Sequence, residues 1–114
     1  RYGLGPLTYN NTLAAAAQGH ANDCSQRGWC SHVGSDGSTI QVRVARAGYQ
    51  GIGWAECWVQ SGSPGQGVFW WMDEVPPNDA HRRTILSTWL QEVGVGVSPG
   101  PWDTYFFIAN FGRP

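Results

Sequence analysis

The chain has 114 residues, 41% of them hydrophobic, and a formal net charge of −1 carried against seven basic side chains that are all arginine. That length suits one domain, residues 1–114, with a real core, and it is too short for two. With no basic run or stripe, no apolar run near the roughly 20 residues of a membrane helix, and no leader pattern, nucleic-acid binding and a membrane span are both excluded as expectations, and the chain reads as a processed or excised piece.

Residues 1–9 place Gly and Pro in quick succession without periodicity, which predicts an extended lead-in. Asn10 or Asn11 then caps a helix to about Arg27, with Leu13, Ala16, Ala17, His20, Ala21 and Cys24 on one face. His20 on that apolar face is expected to be a core residue bonded to a backbone carbonyl. Asn10-Asn11-Thr12 also matches an N-glycosylation acceptor. Gly28 stops the helix, and 29–37 is a loop that carries Cys30, Ser31 and His32. Three cysteines cannot all pair internally, and no C-x-x-C spacing suggests structural zinc. Cys24 and Cys30 are close enough for a bridge between helix end and loop, as suits an exported protein, leaving Cys57 free and buried.

Ser38-x-x-Gln41 is a capping-box pattern that opens a second helix to about Ala47, burying Ile40, Val44 and Ala47. Ile52–Ser61 reads as a strand, with Trp54, Glu56 and Trp58 on one face and Ala55, Cys57 and Val59 on the other. A carboxylate between two tryptophans needs a partner if buried; the alternative is an edge strand with Glu56 in water. Ser63 and Pro64 begin a third helix, whose Gly67–Glu74 segment has the apolar density of a buried helix.

Pro76 pushes Val75 out of the α region, so that helix is expected to end near Glu74, and Asn78 or Asp79 caps a fourth. Asp73 and Glu74 then face the negative end of a helix dipole, where a carboxylate is destabilised unless a cation or donor sits opposite. His81 falls in a first turn, where the dipole disfavours imidazolium and keeps a neutral ring available as ligand or base. The plainer alternative is two exposed acids and a surface histidine. Glu92–Ser98 alternates valine with Gly94 and Gly96, a strand with one bare face that lets a helix approach closely. Ser98–Pro101 is a hairpin connection and Thr104–Phe111 the returning strand, which completes an α+β order with a small, largely antiparallel sheet covered by helices.

HANDCSQRGWCSHVGSDGS at 20–38, Gly48-Tyr49, Ala55-Glu56-Cys57, the WMDE of 71–74, HRRTIL at 81–86, EVGVGV at 92–97 and the late Asn110-Phe111-Gly112 resemble the CAP superfamily, in its short bacterial SCP-like form. The resemblance spans nearly the whole chain. It implies an α-β-α sandwich with a central cleft lined by two His and two Glu, which fall on His32, Glu56, Glu74 and His81. Ala55 and Cys57 stand where the family pattern has Gly and Asn, and Arg1 corresponds to the end of the family's first helix, which is therefore expected to be mostly missing.

Three functions follow as expectations. The first is a secreted or cell-surface binding domain without established turnover, in which His32, His81, Glu56 and Glu74 hold Zn²⁺ or another divalent cation, or the Trp-rich surface takes an apolar, lipid or carbohydrate ligand. The second is a hydrolase, with His81 or His32 as base, Glu74 or Glu56 orienting it, and Ser31 or a metal-bound water as nucleophile. The third is a structural module of a longer surface protein, with the His/Glu set as a buried hydrogen-bond network.

Overall fold

The computed structural model describes residues 6–74 and 78–114. Its elements in order are β1 (Thr8–Tyr9), α1 (Asn11–Arg27), α2 (Ile40–Ala47), β2 (Gly53–Ser61), α3 (Pro64–Met72), α4 (Ala80–Ile85), β3 (Glu92–Pro99) and β4 (Tyr105–Arg113). The strands form one four-stranded sheet in the order β1-β3-β4-β2. The pairs β3/β4 and β2/β4 are antiparallel, and β1 adds two parallel residues beside Glu92 and Val93. This is the expected α+β architecture, with β1 as an addition: a two-residue strand has no alternation to read.

Local signals set the helix ends. Asn10 accepts the Thr12 and Leu13 N–H groups at 2.9 Å, and Gly28 closes α1 in the left-handed region at φ 82°. Ser63 caps α3 through the Gln66 N–H, with Pro64 in its first turn. At α2 the expectation is corrected. Thr39, not Ser38, is the N-cap, and Ala47 is exposed while Arg43 is buried.

α3 also departs from the sequence reading. It ends at Met72, short of Glu74, and only Gly67 and Trp71 of it are buried, while Val68, Phe69 and Trp70 face outward. The expected effect of Pro76 on Val75 lies outside the described residues. Asp79 takes the N-cap position of α4 but makes no capping bond; its carboxylate pairs with Arg83 at 3.1 Å instead.

The sheet is sandwiched. On one face Leu13, Ala16 and Val44 pack with Trp54, and Ala17, Ala21 and Ile108 with Trp58. On the other face Cys57, Trp71, Leu90, Ala109 and Phe111 form a core joined by Ala55, Val59, Ile85 and Val93. The side chains of β2 therefore alternate as expected, Trp54 and Trp58 toward α1 and α2, Ala55, Cys57 and Val59 toward α3 and α4. The expected disulfide joins Cys24 to Cys30, and Cys57 is free and buried.

Candidate functional site

Among the described residues β2 ends the sheet, so one of its edges faces no other described strand. Along that edge runs an open cleft of ≈ 630 Å³, lined by His32, Trp58, Val59, Gln60, Trp70, Trp71, Glu74 and His81. One wall comes from the loop between α1 and α2, the other from α3 and α4. The edge itself is partly sealed where the Trp71 indole donates to the Trp58 carbonyl at 3.3 Å.

On the first wall, His32 Nδ1 lies 3.1 Å from Glu56 Oε1. The two side chains differ sharply in exposure, 54% for His32 and 1% for Glu56. β2 is thus an edge strand whose carboxylate is nevertheless out of water, and the partner that such a carboxylate requires is Arg43 of α2. Arg43 Nη2 donates to both Glu56 oxygens, at 3.0 and 2.8 Å. Asn110 on β4, with its amide oriented by its neighbours, donates to Glu56 Oε2 at 2.9 Å and accepts from the Ala17 N–H at 3.2 Å.

On the second wall, His81 Nδ1 lies 2.6 Å from Glu74 Oε2, and Glu74 Oε1 accepts the Arg82 N–H at 3.0 Å. The donors that Glu74 needs beyond the end of α3 are supplied by the first turn of α4. Partial burial pushes the Glu74 carboxyl up, but the hydrogen bonds from His81 and the Arg82 N–H, with the histidine's charge, outweigh it and leave the carboxyl below the usual range. Trp71 stacks on His81 at 5.8 Å between ring centroids, and Trp58 meets His32 edge-on at 6.4 Å.

The two walls are therefore alike in chemistry. In each, an imidazole faces a carboxylate through Nδ1 and an indole through its ring, so Nδ1 carries the proton and Nε2 is the nitrogen with no described partner. His32, Glu74 and His81 line the cleft itself, and Glu56 stands behind His32. Among the described residues, the one group of three or more His, Cys, Asp or Glu ligand atoms within 4.8 Å of one another is His20, Cys24 and Cys30, whose sulfurs are joined to each other.

His20 is 1% exposed and its Nε2 donates to the Ser31 carbonyl at 2.7 Å, as the apolar face of α1 led us to expect. Ser31 Oγ is engaged by the backbone of Val33, both as donor at 2.9 Å and as acceptor at 3.1 Å. Sequence reasoning missed Arg43 and Asn110. A signal existed for Arg43: Ile40, Arg43, Val44 and Ala47 share the i, i+3, i+4, i+7 stripe of α2, and a basic residue on that stripe implies a buried acid opposite.

The model of the cysteine-rich secretory protein family (CAP) matches residues 1–111. Among solved structures, the fold is similar to an extracellular protein containing an SCP domain from Bacillus anthracis, with TM-score 0.85 and 24% identity over 100% of this chain and 36% of that one. It is similar also to an outer surface protein of Borrelia burgdorferi, with TM-score 0.85 and 18% identity over 98% of this chain and 80% of that one. A third likeness is to venom allergen-like protein 4 of Schistosoma mansoni, with TM-score 0.71 and 12% identity over 96% and 69% of the two chains. No match was found among the curated proteins.

Proposed function

The chain belongs to the cysteine-rich secretory protein family, and from that premise we propose that it is an extracellular binding domain whose ligand-facing atoms are Nε2 of His32 and Nε2 of His81. The observation that carries this reading is the duplicated arrangement across one cleft: each imidazole lines the cleft and is held at Nδ1 by a carboxylate. A carboxylate at the far nitrogen is the arrangement that orients a metal-ligating histidine and raises its basicity.

Two imidazole nitrogens suit Zn²⁺ or a similar borderline ion, with Glu56 and Glu74 acting as the groups that orient the rings. When bound, such an ion supplies a positive centre that can hold or polarise an oxygen of a further ligand. Trp58 and Trp70 offer the same cleft flat apolar surface for an apolar or carbohydrate ligand. The two bacterial neighbours, one an extracellular protein and one an outer surface protein, support secretion or surface display of this chain as well. Because the chain spans 36% of the Bacillus anthracis protein, we read it as one domain of a larger polypeptide.

The test is isothermal titration of Zn²⁺ into the chelator-stripped protein near neutral pH, beside a His32→Ala/His81→Ala double variant. Micromolar or tighter binding that disappears in the folded double variant is the expected result. If wild type and variant take up no ion, the metal reading is wrong and the aromatic lining becomes the ligand surface.

A further inference from the structure

We propose that Arg43 is the positioning residue of the cleft, a buried guanidinium that fixes both the acid holding His32 and the backbone from which His32 projects. This rests on the reading above that His32 meets its ligand through Nε2.

Arg43 lies on the inward stripe of a helix of eight residues and is 8% exposed. A guanidinium at such a position is tolerated only when it is paired and hydrogen-bonded. Its Nη2 lies 3.0 Å from the His32 carbonyl oxygen, in addition to its two contacts with Glu56. Its Nη1 donates to the Ser38 carbonyl at 2.7 Å. One planar group therefore ties two points of the loop between α1 and α2, His32 itself and Ser38, to the strand that carries Glu56. A lysine ammonium, a compact point charge, has no fixed fork that spans these acceptors together.

The consequence runs outward to the exposed ring. Glu56 Oε2 is shared by Arg43 and Asn110, and Oε1 is held by Arg43, so the carboxylate cannot rotate freely. His32 Nδ1 then meets an oxygen whose place is already set. Without that anchor, a loop histidine more than half exposed samples several rotamers and both tautomers. The second wall has no such device among the described residues, because the other oxygen of Glu74 is met by the Arg82 backbone. His81 is therefore an internal control.

The experiment is ¹⁵N NMR of the imidazoles in the ligand-free protein, with titration of Zn²⁺, for wild type, Arg43→Met and Arg43→Lys. We expect both wild-type rings with the proton on Nδ1. In Arg43→Met the His32 ring moves toward a mixture of tautomers while His81 keeps its signals, and Zn²⁺ affinity falls by about 10-fold or more; Arg43→Lys lies between. A folded Arg43→Met in which His32 keeps its tautomer overturns the proposal. So does a shift of both rings together, which would make Arg43 a general structural residue. If Arg43→Met does not fold, Arg43→Lys decides, and a His32 spectrum identical to wild type overturns the proposal. Failure of wild type to bind Zn²⁺ would sink the ligand reading alone, since the tautomers are read without any ion.

Discussion

His20 and Cys57 show what burial does to a titratable side chain when no charge is needed. Burial is the largest influence on His20 and lowers its pKa below the ordinary 6.5, outweighing Glu56 and the Ser31 carbonyl, which act to raise it, while Arg43 and Arg27 lower it further. A histidine with a depressed folded pKa binds fewer protons folded than unfolded. Its contribution is therefore complete above the unfolded value of 6.5 and lost as pH falls through the folded one. Melting temperature followed from about pH 8 to about pH 5 should accordingly drop on the acid side, and His20→Gln should flatten the profile; equal slopes in the two proteins would acquit His20. Cys57 follows the same logic with opposite sign. Burial, with Glu74 and Glu56 nearby, pushes its thiol up to about 12, so it is protonated and inert.

At the scale of elements, the backbone of α1 lies close against β3, and two glycines permit it. A Cβ at Gly94 would lie 2.0 Å from the Ala14 backbone nitrogen, and one at Gly96 2.4 Å from that of Gln18. Neither obstacle is the flexible end of a side chain. The helix answers with small residues, Ala16, Ala17 and Ala21 on its buried face, and with Gln18, whose amide bonds the Val97 N–H and C=O at 3.0 and 2.7 Å. Gly96→Val should lift α1 from the sheet and cost about 3 kcal/mol in urea unfolding. A loss well under 1 kcal/mol would mean that the helix slides at little cost. The alternation of valine and glycine made this contact legible, because a bare strand face has few other uses.

At the scale of the whole molecule, the Cys24–Cys30 bond clips the end of α1 to the loop that carries one wall of the cleft. Removing it as Cys24→Ala/Cys30→Ala frees a short loop, worth about 2 kcal/mol by chain entropy. Chemical denaturation should show that loss, and NMR of the variant should show His32 loosened with His81 unmoved, since His81 belongs to the layer on the other side of the sheet. Disturbance of both rings would indicate that the disulfide stabilises the domain generally.

The sequence by itself determined most of the elements and the faces of α1, β2 and β3, though not β1 or the outward face of α3. Asn10, Gly28, Ser63 and Pro64 act on their own backbone within a few residues, and the alternation along β2 and β3 follows from the pleat, so these are decided locally. It also marked Glu56 and Glu74, because each conflicted with its surroundings, and the family resemblance set them with His32 and His81 in one cleft. Only the tertiary structure decided how those conflicts are relieved. Glu56 on β2 is satisfied by Arg43, 13 residues away on α2, and by Asn110 on the neighbouring strand β4. His32 and His81 line one cleft because β2 is the edge strand among the described residues, over which the two helical layers can face each other. Strand order depends on which pairings bury the most apolar surface together. That is a property of the assembled sandwich, and no local stretch of the chain contains it.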